Sequence, residues 1–268
     1  MGRVEGKSVI VTGSASGIGR ATALLLATEG ARVVVADVNR EQGAEAAAEA
    51  GNGALFMELD VSDENNWKTV IGDTVSGFGG LDVLVNNAGI SGDDGPVADP
   101  ENTTVDNWLA IHKVNALGPF LGCKHAIPAM RENGSGSIVN ISSAGALIPS
   151  PMNTPYGSAK AGLTNLTITV AIHCAVKGDN IRCNAVYPGG TRTPMLQGLF
   201  EVLAQKAGTS ADEVADSWGG GLPLGRLADP KEIANAILFL ASDESSYVNA
   251  EQLVVDGGRR YPTLLAEE

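Results

Sequence analysis

The chain has 268 residues, of which 44% are hydrophobic and 18% charged; this is enough apolar material for a large core and excludes global disorder. Its 18 Lys and Arg stand against 31 Asp and Glu, so the formal net charge is −13 and the surface repels phosphate backbones. We therefore expect no nucleic-acid partner and no binding to an anionic membrane surface.

The cysteine, histidine and hydropathy patterns are informative about the cellular compartment, a metal site and a membrane segment. The three cysteines are odd in number and lack C-x-x-C spacing, so we expect reduced thiols in a cytoplasmic protein. The three histidines share no metal-ligand spacing, and no metal site is expected. The most apolar stretch, 163–176, is shorter than the roughly 18 residues that a membrane span needs, so we expect no membrane segment.

Short β-branched runs alternate with helical stretches along the chain. Strands are predicted at 8–12, 31–37, 54–60, 81–87, 137–143, 181–188 and 251–258. Helices are predicted at 18–29, 40–50, 63–78, 105–131, 156–177 and 230–241. Strands that are apolar throughout and separated by helices are typical of a parallel sheet covered on both faces. We therefore predict an α/β protein: residues 1–268 form a single-domain doubly wound parallel sheet (a Rossmann fold) with helices on both faces, and an irregular stretch at about 189–229 serves as a substrate lid.

A glycine-rich turn, TGSASGIG at 12–19, lies between the first predicted strand and the first helix. Glycines let the backbone approach a pyrophosphate closely, and the helix N-terminus supplies N–H groups. Glycine turns are common, and this spacing is G-x-x-x-G-x-G, so the prediction depends on the strand–turn–helix context. The predicted dinucleotide site comprises Gly13, Ser16, Gly17, Ile18 and Gly19.

Asp37 closes the second predicted strand, 18 residues after Gly19. A carboxylate at this place would accept hydrogen bonds from the adenosine ribose hydroxyls and repel a 2′-phosphate. The alternative is that Asp37 caps the following helix. The turn contains no Lys or Arg, and the nearest base is Arg40. NAD is therefore the predicted cofactor.

Two further strand ends fit the path of such a cofactor. Asp60 and Val61 end the third strand, and Asn87, Ala88 and Gly89 end the fourth. Either segment could instead be a plain turn. Their place at the carboxyl ends of parallel strands favours ligand contact.

The sequence Tyr156-Gly-Ser-Ala-Lys160 places a phenol and an ammonium on one helix face. A tyrosine in water has a pKa of about 10, and a neighbouring ammonium favours the phenolate, so the pair could act as an acid–base group. An isolated Y-x-x-x-K is usually a solvated helix face. Here Ser143, at the end of the preceding strand, could share a substrate oxygen with Tyr156, and Ser142 competes for that role because adjacent strand residues point in opposite directions.

Taken together, the chain resembles the short-chain dehydrogenase/reductase family from about residue 7 to residue 258. The segments that carry the resemblance are TGSASGIG, Asp60-Val61, NNAG, Ser143, YGSAK and VYPGGTRTPM, in the family's order and spacing. The resemblance implies that Ser143, Tyr156 and Lys160 are catalytic, with Asn115 as a fourth member that distorts its helix and holds a water linked to Lys160. It also implies that Pro188, Gly189, Thr191 and Thr193 bind the nicotinamide carboxamide, that Tyr156 and Lys160 contact the cofactor, and that the protein is a homotetramer with the helices of Asn115 and Tyr156 at one interface.

The predicted activity is reversible hydride transfer between NAD and a small secondary alcohol or ketone. Apolar residues in the 189–229 stretch favour an uncharged, largely apolar substrate: Met195, Leu196, Leu199, Phe200, Trp218 and Leu222. That the substrate is cyclic is implied by a resemblance of the segments GCKHAIPAM and DNIRCNAVYPGG to those of bacterial hydroxysteroid and alicyclic alcohol dehydrogenases. The alternative for these residues is that they only pack the lid onto the domain. A β-ketoacyl carrier-protein reductase and an inactive NAD-sensing protein are the alternative functions. A Ser–His–Asp hydrolase is rejected, because there is no G-x-S-x-G elbow and no histidine after position 173.

Overall fold

Seven parallel strands form one sheet in the computed structural model, which describes residues 2–92 and 98–261. The strands are β1 (Ser8–Thr12), β2 (Arg32–Asp37), β3 (Leu55–Glu58), β4 (Val83–Asn86), β5 (Gly136–Ile141), β6 (Ile181–Pro188) and β7 (Gln252–Val255). Their order is β3-β2-β1-β4-β5-β6-β7, and every neighbouring pair is parallel. The order reverses between β1 and β4, which is where open α/β sheets bind ligands beyond their carboxyl edge.

Nine α-helices connect these strands within the described residues. They are α1 (Gly17–Thr28), α2 (Arg40–Ala50), α3 (Glu64–Phe78), α4 (Val105–His112), α5 (Gly118–Glu132), α6 (Thr154–Lys177), α7 (Pro194–Ala207), α8 (Ala211–Gly220) and α9 (Pro230–Ala241). The region predicted as one long helix over 105–131 is α4 and α5 joined by a π-helical turn, Lys113–Leu117.

The prediction of an irregular stretch at 189–229 was wrong in part, because α7 and α8 lie within it. Each helix has local start signals. The Thr193 side chain accepts a hydrogen bond from the Leu196 N–H ahead of α7, and Ser210 and Glu213 form a capping box at α8. The two helices pack through a small core of their own, formed by Phe200, Ala215 and Leu227 with partly buried neighbours.

Alternate residues of each strand enter two different cores, one on each face of the sheet. Val9 and Val11 of β1 face a core that includes α1, α2 and α9. Ile10 faces the opposite core, which includes α3, α5 and α6. This alternation explains why the strands read as apolar throughout, and it confirms the doubly wound fold.

Helix α6 is, among the described residues, the one helix long and apolar enough to cross a membrane by length and composition. The apolar stretch 163–176 is shorter than a span, but the helix that contains it begins at Thr154 and is 24 residues long. One face of α6 packs against the sheet, with Ala159, Leu163 and Val170 buried, and this is the packing of a core helix.

Candidate active site

The glycine turn lies between β1 and α1, at the carboxyl edge of the sheet where the strand order reverses. Gly13 and Gly17 have φ values of 63° and 54°, a region that favours glycine. A Cβ on Gly13 would lie 2.6 Å from the Ala88 Cα, and one on Gly19 would lie 2.2 Å from the Gly13 carbonyl oxygen. The turn therefore needs glycine for its own packing.

The N-terminus of α1 has two features that favour an anion beside it. Ser16, the N-cap residue, is extended, and its side chain makes no capping hydrogen bond. No acidic side chain lies in the first turn of α1. Thr193, at the start of α7, lies beside this end, because a Cβ on Gly17 would be 3.3 Å from its methyl group. The helix end thus suits a pyrophosphate under the edge of the 189–229 segment.

Asp37 does not cap α2, so that alternative is wrong. The N-cap residue is Asn39, whose side chain accepts from the Gln42 N–H. The two carboxylate oxygens of Asp37 accept from the N–H groups of Ala15 and Asn39, each at 2.9 Å. These bonds orient the carboxylate and leave further lone pairs for a ligand hydroxyl.

Arg40, the base closest to Asp37 in sequence, is paired with another carboxylate. It forms an ion pair with Glu58, which is the register partner of Asp37 on β3. Two carboxylates therefore stand side by side on neighbouring strands.

The residues that end β4 hold the turn in place. Asn87 donates from its side-chain amide to the carbonyls of Thr12 and Gly13, at 2.9 and 3.0 Å. The Thr12 hydroxyl in turn accepts from the N–H groups of Asn87 and Ala88, each at 3.0 Å. The Asn87 side chain therefore supports the turn rather than pointing at a ligand. Sequence reasoning missed Thr12, although its place directly before the glycine turn was a signal.

Asp60 and Val61 lie at the same edge, past the end of β3. Asp60 Oδ1 accepts from the N–H and the hydroxyl of Ser62, both at 2.8 Å, and the Val61 carbonyl accepts from the Trp67 indole at 2.9 Å. These contacts form a local turn that presents the segment beside Asp37, since β2 and β3 are adjacent.

Ser143 and Tyr156 are brought together at the end of β5. Ser143 Oγ accepts from the Gly145 N–H at 3.0 Å, and a Cβ on Gly145 would lie 3.3 Å from Ser143 Oγ and 3.9 Å from the Tyr156 ring. Ser142 is buried, and its hydroxyl donates to the Lys160 carbonyl at 2.9 Å. Of the two adjacent serines, Ser143 is therefore the one that faces Tyr156.

Lys160 and Asn115 meet beside Gly89. The Lys160 Nζ lies 5.8 Å from the centre of the Tyr156 ring and donates to the Ile141 carbonyl at 2.8 Å. A Cβ on Gly89 would lie 3.2 Å from Asn115 Oδ1 and 3.4 Å from Lys160 Nζ.

Asn115 lies in the π-helical turn and is fully buried. Its amide forms a reciprocal pair with Ile90: Oδ1 accepts from the Ile90 N–H at 2.9 Å, and Nδ2 donates to the Ile90 carbonyl at 2.8 Å. The wider turn places this polar side chain inward, which is a common role of π-helical turns at functional sites.

Burial shifts the pKa values of both titratable groups toward their neutral forms. It lowers the pKa of Lys160 to about 8. Burial also raises the pKa of Tyr156, and the Ser143 hydroxyl partly opposes this. The prediction that Lys160, together with a cationic nicotinamide, lowers the pKa of Tyr156 concerns the cofactor-bound site and stays a prediction.

The segment after β6 lies at the same carboxyl edge of the sheet as the other candidate residues. Gly189 donates to the Val255 carbonyl at 2.9 Å and packs so closely on β7 that a Cβ would lie 2.7 Å from the Asp256 Cα. Thr191 is buried, and its hydroxyl donates to the Gly189 carbonyl at 3.0 Å. Pro188 through Thr193 thus runs from the sheet edge to the start of α7, facing Gly17.

Comparison with known proteins decides the family. The family model described as "Enoyl-(Acyl carrier protein) reductase" matches residues 13–260. This model describes short-chain dehydrogenases/reductases. The chain belongs to the short-chain dehydrogenase/reductase family. Members of this family typically use a nicotinamide cofactor, and the glycine turn and open α1 end described above fit one.

Two relatives and one solved structure illustrate the range of short-chain dehydrogenases that the chain resembles. It is 42% identical over 265 residues to trans-4-hydroxycyclohexanecarboxylate dehydrogenase of Sinomonas cyclohexanicum, covering 96% of this chain and 93% of that protein. It is also 42% identical over 260 residues to 3-oxoacyl-[acyl-carrier-protein] reductase FabG of Thermotoga maritima, covering 96% and 98%. The crystal structure of levodione reductase superposes with a TM-score of 0.89 at 34% identity, covering 96% of this chain and 98% of that one.

Proposed function

We propose that this short-chain dehydrogenase interconverts an uncharged, apolar, cyclic secondary alcohol and its ketone, with NAD as cofactor. The observation that carries the proposal is the convergence of Ser143, Tyr156 and Lys160 at the sheet edge that also bears the glycine turn. The names of cyclic-alcohol dehydrogenases among the relatives support the substrate class.

In this mechanism the protein's residues transfer one proton to or from the substrate oxygen. Ser143 donates a hydrogen bond to the substrate oxygen, and Tyr156 takes the hydroxyl proton in oxidation or returns it in reduction. Lys160 stabilises the phenolate, while Asn115 holds the backbone beside Lys160. A bound nicotinamide supplies the acceptor for the carbinol hydrogen and, when oxidised, a positive charge. Because burial raises the pKa of Tyr156, the phenol is the ready acid for ketone reduction, and oxidation benefits from every positive charge in the site.

We propose Gly13, Ser16, Gly17, Ile18 and Gly19 as the pyrophosphate contacts and Asp37 as the ribose contact. Asp60, Val61, Ala88 and Gly89 would line the adenine and ribose path, with Asn87 as support. Pro188, Gly189, Thr191 and Thr193 would border the nicotinamide. Glu58 should strengthen the preference for NAD. It forms an ion pair with Arg40, the basic residue closest in sequence to Asp37, and would compete with a 2′-phosphate for that cation.

NAD should exceed NADP at least a hundredfold in kcat/KM, since a 2′-phosphate would meet the fixed carboxylate of Asp37. Asp37→Ala should narrow this ratio, chiefly by weakening use of NAD. Steady-state kinetics with both cofactors measure the ratio. Asp73→Ala, in an exposed part of α3, is the control that removes a carboxylate elsewhere. Equal use of the two cofactors by the unaltered protein would refute the role of Asp37.

The helices of the 189–229 segment support an uncharged substrate. Phe200 is buried, and its ring packs edge-on against the Trp218 ring with 5.4 Å between the ring centres, so this residue packs α7 against α8 within the segment. Met195 remains 43% exposed on the same helix and can offer apolar surface to a ligand. The cation of Arg226 is held by Glu232, with N–O distances of 2.7 and 2.8 Å, and is therefore not free to bind an anion.

A panel of alcohols tests the substrate class by following NADH formation. Cyclopentanol, substituted cyclohexanols, alicyclic diols and hydroxysteroids should be oxidised with higher kcat/KM than sugars or phosphorylated polyols. Faster turnover of the sugars or phosphorylated polyols than of every cyclic alcohol would contradict the proposal. Turnover of any substrate with NAD excludes the inactive NAD-sensing alternative.

A β-ketoacyl carrier-protein reductase is the second candidate, favoured by the similarity to the Thermotoga maritima reductase. The net charge of −13 argues against it, because an acidic carrier protein would be repelled. Reduction of an acetoacetyl thioester with NADPH, faster than any cyclic-alcohol reaction, would decide for this candidate.

We further propose a homotetramer in the cytoplasm. The outer faces of the helices that carry Asn115 and Tyr156 expose several apolar side chains that a partner subunit could cover: Val105, Leu109, Phe120, Ile172 and Val176. The three cysteines are free and buried, in keeping with a reducing compartment.

A further inference from the structure

A second buried tyrosine, Tyr187, lies beneath the candidate site. It belongs to β6, directly before Pro188, and is fully buried. A buried hydroxyl is costly unless it is paired, and a phenylalanine would fill the same space without that cost. The Tyr187 hydroxyl donates to Thr164 Oγ1 at 2.6 Å. The Ser142 hydroxyl also lies within its reach. Neither Tyr187 nor Thr164 belongs to the proton-transferring group described above.

Both partners of Tyr187 act on the helical turn that carries Lys160. Thr164 follows Lys160 by four residues, so its N–H is the helical partner of the Lys160 carbonyl. The same carbonyl accepts from the Ser142 hydroxyl at 2.9 Å. The Lys160 ammonium donates to the backbone carbonyl of Ile141, the residue before Ser142, at 2.8 Å. Lys160 is therefore held at its backbone by Ser142 and at its side-chain end by Ile141.

The strand ends reinforce one another. The Ser142 N–H donates to the Val186 carbonyl at 2.8 Å, which aligns the ends of β5 and β6. Tyr187, next along β6, then reaches α6 through Thr164. The hydroxyls of Ser142, Thr164 and Tyr187 thus join β5, β6 and one turn of α6, and we call them the hydroxyl bridge.

We propose that Tyr187, acting through the hydroxyl bridge, is a positioning residue that sets the distance between the Lys160 ammonium and the Tyr156 phenol. This inference rests on the proposed function, since it assigns Tyr156 and Lys160 their acid–base roles. The interaction of two such groups depends on their separation, so loosening the Lys160 turn weakens the support of the phenolate.

Crystal structures of the cofactor-free protein and its variants test the proposal without any activity measurement. In the unaltered protein the Lys160 Nζ lies 5.8 Å from the centre of the Tyr156 ring. Thr164→Val should lengthen this separation, because the helical turn beside Lys160 loses its link to Tyr187. Thr164→Ser keeps the hydroxyl and should restore the unaltered separation.

Kinetics provide the second readout. In alcohol oxidation, kcat plotted against pH should fall on the acidic side as Tyr156 becomes protonated. In Tyr187→Phe and Thr164→Val, the apparent pKa of this acidic limb should rise by about half a unit. Below this pKa kcat should therefore fall about threefold, and at alkaline pH it should be nearly unchanged. A merely structural role would lower stability without moving the limb.

Thr167→Val is the matched control. Thr167 accepts from Asn140 at 2.9 Å and therefore also links β5 to α6, but it lies two turns beyond Lys160. It should cost similar stability and leave both readouts in place. The proposal is overturned if Thr164→Val leaves the separation of the Lys160 Nζ and the Tyr156 ring unchanged, or if Thr167→Val lengthens it equally. Should Tyr187→Phe fail to fold, the comparison of Thr164→Val with Thr164→Ser still tests the proposal. Absence of NAD-dependent turnover in the unaltered protein would defeat the proposed function, whereas the crystal structures would still test the hydroxyl bridge.

Discussion

Tyr156→Phe should lower kcat by roughly a thousandfold or more, within the range that a positioned acid–base group contributes. Only the phenolic oxygen of Tyr156 can exchange the substrate proton at this place, whereas Ser143 supplies a hydrogen bond. The ring remains, so the packing against Gly145 and the binding of NAD should change little.

Steady-state kinetics, the thermal midpoint and the dissociation constant of NAD measure these effects separately. Tyr247→Phe is the control, because Tyr247 is fully exposed and removal of its hydroxyl should leave all three unchanged. Activity of Tyr156→Phe within tenfold of the unaltered protein would exclude this residue as the proton-transferring group.

Lys160→Met should abolish most activity and yet stabilise the cofactor-free protein. Burial lowers the Lys160 pKa from 10.5 to about 8. At about 1.4 kcal/mol for each pH unit, the charged ammonium costs on the order of 3 kcal/mol of stability near neutral pH. Loss of the hydrogen bond to the Ile141 carbonyl destabilises the variant by about 1 kcal/mol and so offsets part of this gain. The variant should therefore be more stable by roughly 2 kcal/mol. Loss of the ammonium should lower kcat by about a hundredfold or more.

The pH dependence of this stability has a definite sign. Since the folded-state pKa of Lys160 is below its unfolded value, the cost is fully present below about pH 8 and disappears as the pH rises toward 10.5. Urea unfolding of both proteins at several pH values should show the advantage of Lys160→Met shrinking across this interval.

Lys177→Met, at the exposed last turn of the same helix, is the control and should show no such advantage. A Lys160→Met protein that is less stable than the unaltered one at neutral pH would mean that the ammonium is not an uncompensated buried charge.

Much of the fold and of the candidate site can be read from local sequence patterns. The spans predicted for β1 and β6, at 8–12 and 181–188, agree with the structure residue for residue. Asp37 and the glycine turn were placed correctly at the strand ends. These features depend on short-range physics: β-branched runs favour strands, and glycine supplies the turn.

Side-chain direction at a strand end was not decided by the sequence. Ser142 and Ser143 are adjacent hydroxyls, and which one faces Tyr156 depends on where β5 ends and on the helix that packs over it. Similarly, Asp37 or Asn39 could cap α2, and the choice of Asn39 became clear only from the path of the backbone.

By itself, the sequence determined the order of the seven strands and of the helices outside 189–229, the glycine turn and the residue types at the candidate site. Tertiary structure alone decided the electrostatics. Neighbours far apart in the chain bury Lys160 and Tyr156, and this shared desolvation moves both pKa values toward the neutral forms. Spacing within Y-x-x-x-K shows that the two groups share a helix face, but the free energy of their charges depends on everything packed around them.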